Sequence, residues 1–176
     1  MMDIYINKIK LEIVQGDITK QPDCTAIVNA ANAQLRSGGG VAGAIHRIGD
    51  PELTLHTSKF APIKPGDAVI TPAPNFPNDY IIHCLGPVYG RDKPEEMILR
   101  NCYQNALILA DKHRVDSIAF PAISTGIFGY PVKEAAKTAF LALKELSEQL
   151  DFVKIIRFVL WSDKDFRIHA SELENL

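Results

Sequence analysis

The chain has 176 residues, of which 47% are hydrophobic and 23% charged, a length and balance that fit one folded domain with a sizeable core. The formal net charge of −2 argues against a nucleic-acid-binding protein, which usually carries a basic surface, but it leaves room for a small anionic ligand. No apolar run approaches the roughly 18 residues of a membrane span, and the N-terminus lacks the pattern of a signal peptide. We therefore expect a cytoplasmic protein without nucleic-acid or membrane partners. A monomer is the expected state, although nothing in the composition decides it.

The first half of the chain predicts short strands and a single short helix. The predicted elements are one or two strands over 4–14, strands over 26–29, 67–71 and 80–85, and a helix over 41–48. The residues between 50 and 66 are predicted to be irregular, because Pro51, Pro62 and Pro65 would interrupt a long helix. The proline-rich connector over 72–78 favours a hairpin between the last two of these strands.

Two long amphipathic helices, over 94–113 and 132–150, mark the second half of the chain. The predicted buried stripe of the first helix consists of Ile98, Cys102, Ala106 and Leu109, with Leu99, Tyr103 and Ala110 beside it. The predicted inner face of the second consists of Val132, Ala136, Ala139, Leu143, Leu146 and Leu150. Strands over 117–121 and 154–161 and a terminal helix over 163–173 complete the pattern. Such alternation predicts an α/β domain whose sheet is covered on both faces, and no linker or repeat divides residues 1–176.

The stretch from Ala26 to Ile45 has the layout of an anion-binding loop. An apolar run leads to two carboxamides, Asn29 and Asn32, then to a glycine cluster, and then to the start of a helix. Glycines let the backbone approach a phosphate closely, and a helix N-terminus offers free N–H groups with partial positive charge. The segment predicts one side of a phosphate-binding site.

A second stretch, from Ser117 to Pro131, repeats this layout of strand, loop and helix start. Pro131 lies where a proline suits the first turn of a helix, and the loop before it carries Ser124, Thr125 and Gly126. These three read better as hydroxyl and N–H donors than as a nucleophile, because no G-x-S-x-G motif is present. Two such loops could hold the two phosphates of a diphosphate from opposite sides.

Other interpretations of the glycines are weaker. Gly38, Gly40 and Gly43 formally satisfy G-x-G-x-x-G, but the residues from 29 to 37 separate this motif from its strand, which disfavours a conventional NAD-dependent dehydrogenase. No P-loop sequence occurs. A purely structural turn would be favoured for one cluster alone, but not for two clusters that each lie between a strand and a helix.

The cysteines and histidines predict scaffold roles. Cys24, Cys84 and Cys102 lack C-x-x-C spacing, so a zinc site is not expected, and we interpret all three as reduced thiols. A nucleophilic cysteine is the alternative. His83 lies beside Cys84, but adjacent residues on a strand point to opposite faces, so the two cannot act together. His83 is expected to be a buried, hydrogen-bonded histidine, and His46 to be half-buried on its helix.

Two polar or aromatic residues at predicted strand ends leave two interpretations each. Asp17 could cap a helix over 18–20, or its carboxylate could accept hydrogen bonds from the exocyclic amine of a base. Trp161, the only tryptophan, ends the last strand. A core position is the commoner case for tryptophan, but an aromatic at this point could also stack on a base.

Taken in order, these motifs resemble the macrodomain family. The matching segments are Gln15 to Thr19, Ile27 to Asn32, Gly38 to Val41, Gly86-Pro87 and Pro121 to Gly129, in register from Leu11 to about Phe166. Each motif alone is modest, but the ordered set is highly specific. The resemblance implies a three-layer α-β-α fold around a mixed sheet, with ADP-ribose bound in a cleft at the strand ends and no metal or cofactor. It also implies binding, and often hydrolysis, of ADP-ribose derivatives, namely O-acetyl-ADP-ribose, ADP-ribose 1″-phosphate or ADP-ribosylated protein side chains.

The resemblance also implies a role for individual positions. Asp17 would hold the adenine amine with help from the Ile18 N–H, and Trp161, or alternatively Phe166, would stack near the adenine. Asn32 would hold the distal ribose hydroxyls. The residues that would line the diphosphate are Gly39, Gly40, Val41 and Ala42 on one side and Ser124, Thr125, Gly126, Ile127 and Phe128 on the other. The Phe128 ring would cover the distal ribose, which makes Asn32 and Phe128 the catalytic candidates.

One position departs from the family pattern. Many bacterial hydrolytic members have an aspartate after the Gly-Gly-Gly-Val motif, where it can orient or deprotonate a water, and this chain has Ala42 there. Some viral relatives also have alanine and are still considered hydrolases. The stretch from Pro51 to Gly66 also differs from the commoner bacterial pattern. We therefore expect hydrolysis of a distal-ribose ester linkage, with a non-catalytic ADP-ribose reader as the alternative.

Overall fold

The computed structural model describes all 176 residues. The strands are β1 (Met2–Ile6), β2 (Ile9–Gln15), β3 (Ala26–Ala30), β4 (Ala68–Pro72), β5 (Tyr80–Cys84), β6 (Ser117–Phe120) and β7 (Ile155–Leu160). The helices are α1 (Gly40–Gly49), α2 (Glu52–Thr57), α3 (Glu95–Lys112), α4 (Val132–Leu146) and α5 (Asp163–Glu174), with a 3-10 turn over Ser147–Gln149. None of these helices combines the length and apolar composition that crossing a bilayer requires.

The seven strands form one mixed sheet in the order β1-β2-β7-β6-β3-β5-β4. The five central strands are parallel to their neighbours, while β1 runs antiparallel to β2 and β4 antiparallel to β5. The antiparallel β4–β5 pair is the predicted hairpin. The mixed sheet confirms the predicted α/β fold class.

Helices cover both faces of the sheet because buried residues alternate along the strands. Val28 and Phe158 join a large core with the inner faces of α3, α4 and α5. Their chain neighbours Ile27 and Val159 point the other way. They join a smaller core with Ile45 of α1 and Leu53 of α2. The result is three layers, with α1 and α2 on one side of the sheet and α3, α4 and α5 on the other.

Three sequence predictions need correction. The segment from 50 to 66 is not wholly irregular, because α2 begins directly after Pro51 and ends before the other two prolines interfere. The helix predicted over 132–150 ends at Leu146 and continues as the 3-10 turn. On α3 the buried stripe is centred on Leu99 and Tyr103, and the predicted Ile98 and Leu109 flank it half-buried.

The loops that follow the five parallel strands lie at one edge of the sheet, and four of them, after β2, β7, β6 and β3, carry the predicted site residues. Because β2, β7, β6 and β3 are parallel and adjacent, their carboxyl ends meet there in that order. The residues that follow these strands are Asp17 after β2, Trp161 after β7, the loop from Pro121 after β6, and the loop from Ala31 after β3. In open α/β sheets, ligands bind outside these carboxyl ends.

Candidate functional site

A cleft of about 600 Å³ lies across the carboxyl ends of these four strands. It is lined by residues from all four following loops and from the first turns of α1 and α5. All thirteen predicted ligand-binding and catalytic residues line it, namely Asp17, Ile18, Asn32, Gly39, Gly40, Val41, Ala42, Ser124, Thr125, Gly126, Ile127, Phe128 and Trp161. The fold thus brings together residues that are up to 144 positions apart in the sequence (from 17 to 161).

The first loop ends in the N-terminus of α1. The backbone N–H groups of residues 39–42 have no hydrogen-bond acceptor within the protein, and they line the cleft. Gly43 lets the helix pack tightly on the loop, because a Cβ at this position would overlap the carbonyl oxygen of Gly38. No side chain caps the helix start. This end of α1 can therefore bind an anion through backbone donors.

The second loop lies opposite and offers a similar row of donors. The Thr125 hydroxyl donates to the Ala122 carbonyl at 2.8 Å, which holds the turn. The N–H groups of Gly126, Ile127 and Phe128 have no acceptor within the protein. The Ile127 side chain is 88% exposed, and its Cδ1 lies within 3.4 Å of where a Cβ on Gly39 would stand. The two loops therefore approach each other across the cleft.

Ser124 lies at the base of the second loop in an unusual setting. Its φ of 67° is in the left-handed region, and its Oγ is buried without a hydrogen-bond partner. Gly86 faces this hydroxyl so closely that a Cβ on Gly86 would overlap it. A strained residue with an unsatisfied hydroxyl in a cleft is a feature typical of ligand-binding sites.

Asp17 shapes a turn and keeps part of its carboxylate free. Its Oδ1 accepts from the Thr19 N–H at 2.9 Å and from the Thr19 hydroxyl at 2.7 Å, whereas Oδ2 makes no hydrogen bond. No helix follows, so the interpretation of Asp17 as a helix cap is wrong. The Ile18 N–H also has no acceptor within the protein. An acceptor and a donor are thus adjacent at this end of the cleft.

A network behind the cleft holds the Asp17 turn. The buried Gln21 side chain donates from Nε2 to the Asp17 carbonyl at 2.9 Å and accepts from Arg157 Nη1 at 3.0 Å. Arg157 also contacts Glu12 and Asp23 through bonds of 2.7–2.8 Å. Hydrogen bonds to the Arg157 guanidinium lower the pKa of Asp23. The turn is therefore anchored to β2 and β7.

Trp161 lines the cleft next to this turn. It is 78% exposed, so the interpretation as a core tryptophan is wrong, and its ring is available for stacking. Phe166, the predicted alternative, does not line the cleft and packs partly buried against the main core. Asp165 lines the cleft in the first turn of α5, and sequence analysis missed it. The sequence does carry a signal for Asp165, because it lies four residues after Trp161 at the start of the predicted terminal helix.

Asn32 lies at the other end of the cleft and holds its own loop. Its Nδ2 donates to the Arg36 carbonyl at 2.7 Å, and its Oδ1 accepts from the Arg36 N–H at 3.1 Å. Each of these side-chain atoms retains one further hydrogen-bonding position. The half-buried Phe128 ring packs against a small buried apolar cluster that includes Leu35. Ala42 is buried, with no carboxylate in its place.

Asn29, the other carboxamide of the first loop, does not line the cleft. It is fully buried, and its Nδ2 donates to His83 Nδ1 at 3.1 Å. His83 Nε2 in turn lies 3.0 Å from the Thr71 hydroxyl. Burial lowers the pKa of His83 to about 3, so this histidine is neutral. The interpretation of His83 as a hydrogen-bonded core residue is confirmed, whereas Asn29 belongs to the scaffold.

The remaining titratable candidates also lie outside the cleft. His46 is fully buried, not half-buried as expected, and its Nδ1 lies 2.9 Å from Asp50 Oδ2. Cys24, Cys84 and Cys102 are buried free thiols. Burial raises the pKa of Cys24 to about 11 and that of Cys102 to about 12, so these thiols stay protonated. A nucleophilic cysteine is therefore not supported.

The charges in the cleft are few and of one sign. Asp17 and Asp165 are its only ionisable residues, and no lysine, arginine or histidine lines it. No group of three or more His, Cys, Asp or Glu side chains in the structure could hold a metal ion. An anionic ligand would therefore have to be bound by uncharged donors, namely backbone N–H groups and the side chains of Asn32 and Ser124.

Both the family model and the most similar relatives point to one protein family. The model of the Macro domain family matches residues 28–139. The chain is 42% identical to a macro domain-containing protein of Caldanaerobacter subterraneus subsp. tengcongensis, over 96% of this chain and 98% of that protein. It is 41% identical to a Salmonella typhimurium protein named O-acetyl-ADP-ribose deacetylase, over 92% of each chain.

The similar solved structures are macrodomains as well. A mutant of the Oceanobacillus iheyensis macrodomain with ADPR superposes with a TM-score of 0.93 at 38% identity, covering 99% of this chain and 97% of that one. The Trypanosoma brucei macrodomain in complex with ADP-ribose superposes with a TM-score of 0.84 at 32% identity, covering 93% and 68%.

Proposed function

The chain belongs to the macro domain family, and on that premise we propose that it binds ADP-ribose in this cleft and hydrolyses an ester linkage on the distal ribose. Residues 1–176 would form one macro domain, since β1, β2, β7 and α5 complete the sheet and the cleft outside the matched segment. The observation that carries the proposal is the pair of opposed loops, each with three or more free N–H groups, in a cleft without basic residues.

The order of the strands supports one orientation of the ligand. Asp17 and Trp161 follow the neighbouring strands β2 and β7, and the two donor loops follow β6 and β3. The base would therefore lie at the β2 side, the diphosphate between the loops, and the distal ribose beside Asn32 and Phe128. Ring stacking on Trp161 would add to the binding of the base.

The base end would select adenine through complementary hydrogen bonds. The free Oδ2 of Asp17 can accept from the exocyclic amine, and the Ile18 N–H can donate to the neighbouring ring nitrogen. A base with a carbonyl oxygen at the amine position would instead face the carboxylate oxygen, with no proton between the two acceptors.

Catalysis would depend on how the attacking water is positioned. Water would attack the carbonyl carbon of the ester, or alternatively the anomeric carbon. In ester cleavage the new C–O bond forms to water, the bond to the ribose oxygen breaks, and that oxygen takes the proton. Asp17 and Asp165 lie at the nucleoside end, so the bound diphosphate and Asn32 would position the water. Backbone N–H groups would stabilise the developing negative charge.

Turnover of defined substrates tests this proposal. We expect the wild-type protein to release ADP-ribose from O-acetyl-ADP-ribose or from mono-ADP-ribosylated protein faster than buffer alone. Asn32→Ala should lower kcat far more than it lowers affinity for ADP-ribose, because an orienting contact strengthens in the transition state. Ala42→Asp should raise the rate, provided that the added carboxylate does not repel the diphosphate.

A second candidate function is a reader that binds ADP-ribose without turnover. Two observations favour it: Ala42 puts no carboxylate beside the distal ribose site, and the Asn32 carboxamide already bonds the Arg36 backbone through both atoms. A protein that binds ADP-ribose tightly but leaves both substrates intact would be this reader. Either activity suits the cytoplasm as the proposed location, since all three cysteines are free thiols.

A further inference from the structure

We propose that Asp165 makes the nucleoside end of the cleft select a free ribose 2′-hydroxyl over a 2′-phosphate. This inference rests on the proposed function, because it concerns the ligand of the same cleft. ADP-ribose units that carry a 2′-phosphate would be excluded, and those with an unmodified adenosine would be accepted.

The position of Asp165 is fixed by its backbone. Its N–H donates to the Ser162 hydroxyl at 3.1 Å, which caps α5, and its carbonyl accepts from His169 Nδ1 at 2.9 Å. Helix α5 packs against β2 and β7, the two strands whose ends carry Asp17 and Trp161. Asp165 therefore belongs to the nucleoside end of the cleft.

The carboxylate of Asp165 has no partner within the protein, although it is half-buried and lines the cleft. Asp163, two residues earlier in the same turn, differs in both respects. It is exposed, does not line the cleft, and forms an ion pair with Arg167 at 2.7 Å. The helix therefore presents one satisfied carboxylate to solvent and one unsatisfied carboxylate to the cleft.

A carboxylate accepts hydrogen bonds and cannot donate them when ionised, so the ligand group beside it has to be a donor. The adenine amine is already assigned to Asp17. The remaining donors at the nucleoside end are the ribose hydroxyls, and a carboxylate that receives a ribose 2′-hydroxyl is a known means of recognising unphosphorylated dinucleotides.

A 2′-phosphate would meet repulsion here without compensation. It carries a charge of about −1.5 to −2 at pH 7, by analogy with other phosphate monoesters, and no basic residue lines the cleft. The N-terminus of α5 would attract a phosphate, but Ser162 caps it and Asp163 and Asp165 already lie in its first turn. Lys164, the cation of this turn, is exposed and lies outside the cleft lining.

The test compares two ligands on three proteins by calorimetry. Wild-type protein should bind ADP-ribose at least roughly tenfold more tightly than 2′-phospho-ADP-ribose, the order expected for one uncompensated like-charge contact near a surface. Asp165→Asn keeps the shape but removes the charge, so it should shrink this ratio severalfold, mainly by improving binding of the 2′-phosphate. The matched control Asp163→Asn should leave the ratio unchanged, and thermal melting confirms that both variants fold.

The outcomes separate this inference from the proposed function. If the wild-type protein binds both ligands equally, or if Asp165→Asn leaves the ratio as it was, the assignment to Asp165 is wrong while ADP-ribose binding stands. If Asp163→Asn shifts the ratio as much as Asp165→Asn, the effect is one of overall charge, which also overturns the assignment. If the wild-type protein binds neither ligand, the proposed function fails and this inference fails with it.

Discussion

Replacement of Asp17 separates the hydrogen bonds that its carboxylate makes to Thr19 from the role in base binding that we propose for it. Oδ1 accepts two hydrogen bonds from Thr19, at 2.9 and 2.7 Å, whereas Oδ2 makes no hydrogen bond within the protein, and Asp17 lines the cleft. Asp17→Asn can keep the Thr19 bonds through its remaining oxygen, but it replaces Oδ2 by an NH₂ donor that would face the NH₂ donor of adenine. Asp17→Ala removes both roles at once.

The expected magnitudes follow from these bonds. Loss of a hydrogen bond to a charged group costs about 1.5–3 kcal/mol, so either substitution should weaken ADP-ribose binding by roughly 10- to 150-fold. Asp17→Ala should also lower the free energy of unfolding by about 1–2 kcal/mol, because Thr19 loses its acceptor. Asp17→Asn should leave the free energy of unfolding nearly unchanged.

Calorimetry and urea unfolding measure the two effects separately. The ligands are ADP-ribose and its hypoxanthine analogue, which has a carbonyl oxygen in place of the amine. The preference for ADP-ribose should shrink in Asp17→Asn, since its amide can donate to that oxygen. Wild-type affinity of Asp17→Asn for ADP-ribose, with the preference intact, would refute the assignment of Asp17 to the base.

Three further predictions use other features of the cleft and the core. Because Trp161 is the only tryptophan and is 78% exposed, saturating ADP-ribose should quench or shift its fluorescence, and an unchanged spectrum would remove it from the base site. Because no lysine or arginine lines the cleft, ADP-ribose affinity should fall less than about threefold between 50 and 500 mM salt, whereas a tenfold loss would reveal a cation at the phosphates. Burial lowers the pKa of His83 to about 3, below its value near 6.5 in the unfolded chain, so the unfolded state binds the extra proton between these values. The contribution of neutral His83 to the free energy of unfolding is therefore fully present above pH 6.5 and falls by up to ~1.4 kcal/mol per pH unit below it. Urea unfolding should show that the free energy of unfolding of His83→Gln falls less between pH 7 and 5 than that of the wild type. An identical fall in the two proteins would contradict the argument.

The two loops were predictable because their signals are local. An apolar run followed by glycines and a helix start describes the segment from Ala26 to Ile45 without knowledge of the rest of the chain. The side-chain direction of Asn29 was not predictable in this way. Neighbouring strand residues alternate between faces, and only the pairing of β3 with β5 shows that Asn29 points to His83 in the core.

Residues that depend on packing between distant elements were harder to assign. Trp161 was compatible with a core position or with an open ring, and its exposure depends on where β7 ends relative to α5. Asp165 was missed for the same reason, since the rotation of α5 about its axis decides which residues reach the cleft. The three prolines between 50 and 66 exclude a long helix, but they leave room for the six residues of α2, which begins directly after Pro51.

A calorimetric titration of the wild-type protein with ADP-ribose, and separately with AMP, tests the central claim most directly. AMP offers the base and one phosphate, whereas ADP-ribose also reaches the second phosphate position and the site of Asn32 and Phe128. We predict one ADP-ribose per chain, bound at least roughly tenfold more tightly than AMP, since several added hydrogen bonds each contribute about 1 kcal/mol. Equal affinities for the two ligands, or no binding of ADP-ribose, would contradict the proposal that both loops of this cleft bind one diphosphate.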